Sequence, residues 1–475
     1  GSGSGITTNT CSGSVSVAAG DLLDTSVALS SGGTQSTFKV SYAANAPAAS
    51  YGNTLSGTKQ VTLGGLSTIL VTTGERYTQP FSTGTGIGTQ GVTNFATVMP
   101  FSATIGGLTA LTSASPSPGT YEFTLMVNNG TTTLDCTVSG ASACTSAGTV
   151  AVAAGDRVVM AVTPLGSPAT VNGSWGMTIT PVNAGDTIVT ASTPGINIST
   201  TLTSYLVPEG GTTSVPPTTE GSTVTMLLPE AGTLKNFFQQ PFTAPTAGSY
   251  THTIREGAVG SIADTSLSCV EVTTGNGICS DTSHTASVTA GDLFDWAVAP
   301  SSPTGGRGPV MGLDLVPSTS GNFDFFYNNQ STVTNNATRY GYLNGIGVQN
   351  ATESVMQSVV PISMTISSFT AYDTTPPGAG QSVTYTLRQN GADTALTCTV
   401  SGASATTCTA TGGVAFAAGD TIDYKMVTSS GSSNLGDVMI STVGNTTGAA
   451  APSTGAQTTL FGGHVIIRGG HIYIQ

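Results

Sequence analysis

A cysteine, a polar gap, an alternating strand and an Ala-Gly-Asp turn recur four times along the 475-residue chain, and this recurrence constrains the fold more than any other feature. The copies read TCSGSVSVAAGD from Thr10, CTSAGTVAVAAGDRVVM from Cys144, CSDTSHTASVTAGDLFDW from Cys279 and CTATGGVAFAAGDTIDY from Cys408. Their turn aspartates, Asp21, Asp156, Asp292 and Asp420, stand 135, 136 and 128 residues apart. That period is too long for a solenoid, whose units run to about 45 residues, and suits a complete sandwich domain.

Within each period, short alternating segments such as TYEFTLMVN, TVAVAA and SWGMTIT are separated by Gly, Pro, Asn and Ser clusters. About eight strands per unit at this spacing predict a two-sheet sandwich, jelly-roll or immunoglobulin-like. No stretch has sustained helical periodicity. The expected fold is therefore all-β: tandem antiparallel β-sandwich domains with a C-terminal β-hairpin tail. The expected divisions are an incomplete repeat over 1–48 (second half only), complete repeats over 49–184, 185–318 and 319–449, and a linker plus hairpin over 450–475. The front halves of the repeats differ more than their cysteine-containing halves, as expected where loops carry contacts and strands carry the fold.

The seven cysteines divide accordingly. In the three later copies a strand ending in a first cysteine precedes the motif, so Cys136 is expected to pair with Cys144, Cys269 with Cys279, and Cys398 with Cys408. Cys11 holds the second-cysteine position of the incomplete copy, leaving it unpaired or with a truncated partner. Opposed residues in an antiparallel hairpin lie within disulfide reach, so each bridge is read as a hairpin staple, worth about 2–3 kcal/mol on the chain-entropy estimate. Buried free thiols and metal ligation are the alternatives, but metal sites favour closer spacing with histidine nearby. Disulfides place the protein in an oxidising compartment, extracellular or at a cell surface.

Charged residues make up 7% of the chain, and 11 Lys and Arg against 24 Asp and Glu leave a net charge of −13. No basic footprint for a phosphate backbone exists, so nucleic acid is not an expected partner. No apolar run approaches the ~18 residues of a membrane span, and membrane insertion is not expected. The opening GSGSG follows no signal-peptide pattern and reads as linker or low complexity.

No catalytic constellation emerges. His252, His284, His464 and His471 form no metal-ligand pattern, and Asp24, Asp295 and Asp423, three residues after their turn aspartates, do not form a calcium pattern with them. The turn aspartates read as caps that bond their own backbone. GIGTQG at 86–91 lacks the strand-then-helix setting of a dinucleotide site, and paired carboxylates for glycoside hydrolysis are not singled out. No enzyme activity, cofactor or metal is expected. Trp175 and Trp296 read as core residues. Sequons occur at Asn129, Asn172, Asn197, Asn329, Asn336, Asn350 and Asn445, sites for glycans if the host glycosylates.

After the linker GAAAPSTGAQ, the tail TTLFGGHVIIRGGHIYIQ carries a two-residue Gly-Gly hairpin signal. Val465, Ile467, Ile472 and Ile474 would line one face, Ile466 and Tyr473 the other. An isolated apolar hairpin is marginal in water, so it is expected to dock on its own third repeat or on a neighbouring subunit by strand addition. The expected function is an extracellular structural subunit that self-assembles, head to tail or in a lattice, into a filament, surface layer or fibre. The alternatives are an adhesin or carbohydrate-binding array recognising cell-surface glycans, and a phage fibre or decoration protein. The general look resembles repeat modules of microbial surface proteins and phage fibres, a fold-level likeness without a family motif.

Overall fold

The computed structural model describes residues 59–446, apart from 85–87, 89–94, 194–195, 212–214, 274–276, 331–332, 334 and 433–434, together with the backbone strands Val465–Arg468 and His471–Ile474. The chain divides into two compact units, one of Tyr51–Ser453 and one of Gly1–Ser50 with Thr454–Gln475. The incomplete repeat, Cys11 and the linker lie outside the described residues. In the tail hairpin the backbone register is Val465↔Ile474, Ile466↔Tyr473, Ile467↔Ile472 and Arg468↔His471.

The larger unit contains three β-sandwiches, with strands running from Gln60 to Pro181, from Thr187 to Pro317 and from Asn322 to Asn445. Each has the same ten strand positions in chain order, the eighth being split in repeat 1 into Ala143–Thr145 and Thr149–Val152. Four of them matter most below. The opening strands are Gln60–Ile69, Thr187–Ser192 and Asn322–Asn329. The short third, or hub, strands are Thr83–Gly84, Gly210–Gly211 and Gly345–Gly347. The short fourth, or joint, strands are Thr97–Val98, Met226–Leu227 and Ser358–Val359. The closing strands are Asn172–Pro181, Arg307–Pro317 and Val438–Asn445.

One sheet of each sandwich runs third–first–tenth–fifth–eighth, and the other runs ninth–sixth–seventh, with the second and fourth strands both on the free side of the ninth. This is jelly-roll order, in which the chain crosses between two sheets at each corner. It decides between the jelly-roll and immunoglobulin-like readings. The hub strands of repeats 1 and 3 pair in parallel at Gly345↔Thr83, fusing their first sheets into one of eleven strands.

Local sequence explains the strands. In TYEFTLMV over Thr120–Val127, Tyr121, Phe123 and Leu125 point into the core and are fully buried, the period-2 pattern of a sheet with one dry face. Its hairpin turns at Asn128 and Asn129, both at positive φ (49° and 70°), the geometry that matches the strand twist and that asparagine tolerates. Asn390 and Gly391 do the same in repeat 3. Trp175 and Trp296 are fully buried, each with a phenylalanine ring 6.0 Å away, Phe123 and Phe237.

The bridges Cys136–Cys144, Cys269–Cys279 and Cys398–Cys408 are present, but they are not hairpin staples. The first cysteine of each lies on the seventh strand, the edge of one sheet, and the second on the eighth, the edge of the other. Neighbouring strands in sequence need not be neighbours in a sheet, because here the chain changes sheet between them. Each bridge therefore ties the two layers together at the open edge of the sandwich.

Candidate functional site

The recurrent Ala-Gly-Asp turn is the anchor of a joint between repeats. In each repeat its backbone exchanges two hydrogen bonds with the residue just after the joint strand. Met99 N donates to Asp156 O, Leu228 N to Asp292 O and Val360 N to Asp420 O, all at 2.9 Å; Gly155, Gly291 and Gly419 donate back at 2.8 Å. The carboxylates of Asp156 and Asp420 cap their turns, Ala153 N donating to Asp156 Oδ2 at 2.7 Å and Ala417 N to Asp420 Oδ2 at 2.8 Å. These bonds align three short stretches, MPFS at 99–102, LPEA at 228–231 and VPIS at 360–363.

Each joint strand lies across the closing strand of the next repeat. A Cβ on Gly312 of repeat 2 would overlap the Val98 carbonyl of repeat 1, and a Cβ on Gly176 of repeat 1 would overlap the Val359 carbonyl of repeat 3. At the third joint the same position is Ser441 of repeat 3, whose Oγ donates to Leu227 O of repeat 2 at 2.7 Å. The contacts run 1 to 2, 2 to 3 and 3 to 1, so the three sandwiches close a cycle instead of stacking end to end.

The opening strands interlock in the same sense. Val61 and Leu63 of repeat 1 belong to the apolar cluster of repeat 3. Ile188 of repeat 2 belongs to that of repeat 1, and Phe326 and Ile346 of repeat 3 to that of repeat 2. Burial is shared between sandwiches, and no repeat completes its core alone. Polar bonds seal the rims. Gln60 of repeat 1 exchanges two bonds with the Ile188 backbone at 2.8 and 3.2 Å. Asn328 Nδ2 reaches Ser222 O and Thr225 O at 2.8 Å, and Ser174 Oγ donates to Gln357 O at 2.8 Å.

The three hub strands meet where the cycle closes. The residues just before them are Ser82, Glu209 and Asn344, all buried. Asn344 Nδ2 donates to Phe81 O at 2.7 Å and to Glu209 Oε2 at 3.1 Å, while Phe326 N donates to Asn344 Oδ1 at 3.1 Å. Glu209 Oε1 accepts from Thr190 N at 2.8 Å. Gln79 Nε2 donates to Ser192 Oγ at 2.6 Å, and its Oε1 accepts from Ser82 Oγ at 2.6 Å. Burial pushes the Glu209 carboxyl up to about 8 against the pull of its two hydrogen bonds. A hydroxyl, a carboxyl and an amide at one position, the amide and carboxyl bonded to each other and the hydroxyl to Gln79, give the hub a fixed order of repeats.

The aspartates three residues past the turns have a different role from the turn caps. Asp295 and Asp423 are fully buried under Arg255 and Arg388. Arg255 Nε is 2.7 Å from Glu220 and 3.8 Å from Asp295, with Asp264 on its other side. Arg388 Nε is 2.8 Å from Glu353, with Asp393 on its other side. In repeat 1 the matching positions are Val159 and Met126, paired across the same strands, and an apolar cluster with Phe95, Ala96 and Ala161 replaces the ions.

Of the histidines, His252 is buried, its Nε2 2.9 Å from Glu271, and His284 is a surface partner of Asp281; His464 and His471 have no described side chains, and GIGTQG lies almost wholly outside the described residues. Among the described residues no group of three potential metal ligands occurs, and no helix is long and apolar enough to cross a membrane. Asn129, Asn197 and Asn336 are exposed, while Asn172, Asn350 and Asn445 are half-buried. Asn329 is a correction: its side chain is fully buried in the opening strand of repeat 3, where a glycan cannot be attached in the folded chain. The hub and the joints carried little sequence signal. Their one shared mark, a proline after the joint strand (Pro100, Pro229, Pro361), stands at a varying distance from the Ala-Gly-Asp turn.

No protein-family model matches the chain, and no curated protein is similar to it. Among solved structures, the chain is similar to one in the atomic structure of Sulfolobus Turreted Icosahedral Virus, with 10% sequence identity and a TM-score of 0.15 over 73% of this chain and 84% of that chain. A likeness of that size carries no functional argument, and the jelly-roll assignment rests on this chain's own strand order.

Proposed function

We propose that the chain is an extracellular structural subunit whose three jelly-rolls form one preassembled block, and that copies of the block associate edge to edge into a surface layer or shell. The observation that supports this reading is the cycle of equivalent joints. Three copies of one contact inside a single chain reproduce what a closed trimer achieves with three chains. The surfaces that end-to-end stacking of repeats would use are taken up in the cycle, so a lattice of blocks fits better than a fibre lengthened by domain stacking. The sheet-to-sheet disulfides favour an oxidising setting, and the tail hairpin is the segment proposed to add as strands to a neighbouring block. The reading assigns no catalytic role.

The test is light scattering and electron microscopy of the purified chain with and without residues 458–475. Ordered assemblies from the full chain and discrete blocks from the truncated one support the reading. Stable monomers from both overturn it.

A further inference from the structure

One of the three joints differs from the other two in kind. At each joint the opening-strand residue that pairs with Thr178, Asp314 or Val443 of its closing strand is matched with the third residue of the stretch after the preceding joint strand. At the joint of repeats 1 and 2 the pair is Ile188 with Phe101, both in one apolar cluster. At the joint of repeats 3 and 1 it is Val61 with Ile362, again within one cluster. At the joint of repeats 2 and 3 the same two positions hold Asp324 and Glu230; Glu230 Oε2 accepts from Asn322 Nδ2 at the start of the strand that carries Asp324, while Glu230 Oε1 and both Asp324 oxygens are buried without a hydrogen-bond donor. Both positions hold a carboxyl here where the other two joints hold hydrocarbon.

We propose that Glu230 and Asp324 form a proton-sharing carboxyl pair that locks the joint of repeats 2 and 3 at acid pH and releases that joint, and no other, as the pH rises. Asp324 is 5% exposed, and two carboxylates in one desolvated site cannot both ionise without repulsion. One proton between them turns the repulsion into a hydrogen bond.

The neighbours offer no counter-charge. Asn322 Nδ2 donates to Glu230 Oε2 at 3.0 Å, the Thr319 side chain bonds Glu230, and Val443 of the closing strand pairs with Asp324; all three are neutral. Lys235, on the strand that follows Glu230, is held by Asp186 at 2.8 Å and Asp314 at 3.5 Å. Burial pushes the Glu230 carboxyl up against the pull of its hydrogen bonds, and burial together with the Glu230 charge pushes the Asp324 carboxyl well above the usual carboxylate range. The folded joint therefore holds a proton that the separated residues would release. Its contribution is complete below the ordinary carboxylate range and is lost as pH rises through the raised values.

The experiment is hydrogen exchange on the intact chain, corrected for intrinsic pH dependence, from about pH 5 to about pH 9. Peptides over 222–230 and 322–329 are compared with the counterpart over 95–101. Protection at the joint of repeats 2 and 3 is expected to fall by about tenfold or more relative to the joint of repeats 1 and 2. In Glu230→Phe with Asp324→Ile, which copies the apolar pair, that relative loss is expected to vanish. Glu230→Gln, nearly isosteric, gives the same readout if the double variant does not fold. Parallel loss at both joints, or an unchanged pH dependence in the variants, overturns the proposal.

Discussion

Gly312→Ala is the sharpest test of the cyclic joints. The new Cβ would overlap the Val98 carbonyl oxygen and stand 2.8 Å from the Val98 carbonyl carbon and 3.2 Å from Pro100 Cδ. All three belong to backbone or to a proline ring, so no flexible side chain can move aside. The joint strand of repeat 1 must retreat, giving up contacts on both sides of it. Overpacking a dry contact costs about 1–3 kcal/mol, and a rigid obstacle places this case at the upper end, about 3 kcal/mol. The third joint is a built-in control. Ser441 already carries a Cβ there and spends its hydroxyl on Leu227 O, so Ser441→Ala should cost only about 1 kcal/mol, the net value of one hydrogen bond. Urea unfolding followed by the fluorescence of Trp175 and Trp296, both fully buried, reads the two variants on one scale. If Gly312→Ala unfolds within about 0.5 kcal/mol of the parent, or costs less than Ser441→Ala, the close contact does not hold the repeats together.

Two further outcomes follow from the buried charges. Burial pushes Glu209 up to about 8 and Asp314 and Asp373 up to about 7; these groups keep protons in the folded chain that the unfolded chain has released, so their contribution is complete below the ordinary carboxylate range and declines through about pH 7–8. Asp393 is held below the usual range by hydrogen bonds from Lys425 and Arg388 and acts in the opposite sense, contributing above that range and losing its effect on acidification. Calorimetric melting temperature should therefore peak in mildly acid solution and fall toward about pH 9, and a flat or rising profile over that interval would contradict the burial of these groups. In repeat 2 burial pushes the Asp295 carboxyl up to about 9, so at neutral pH it is a buried neutral acid. Arg255→Met should cost about 2 kcal/mol by leaving that carboxyl and Glu220 without their partner, whereas Arg255→Met with Asp295→Val, the pair that repeat 1 uses, should return to within about 1 kcal/mol of the parent. A double variant less stable than the single one would mean that the ion cluster does more than fill space.

What was legible in the chain alone is what local chemistry dictates. Period-2 alternation and turn residues marked the strands, because side chains on a pleated backbone alternate between core and solvent. The recurrence of the cysteine and Ala-Gly-Asp motif marked the repeats, because the turn cap and the bridge are both made within a few residues of sequence. What those strands do next was not local. The change of sheet between the two cysteines of each pair comes from jelly-roll crossing, and it converts an apparent hairpin staple into a tie between layers. The burial of Asn329 follows from its place in an opening strand packed against two neighbours.

Ser82, Glu209 and Asn344 share a position but no chemistry, so no pattern in the chain could have grouped them. They meet because three sandwiches, none of which can bury its opening strand alone, close on one another. The sequence determined a set of all-β repeats, their bridges and their capped turns, since each depends on residues close together along the chain. Only the tertiary structure decided that the repeats close a cycle, and which side chains meet within it, since those contacts join residues of different repeats, far apart along the chain.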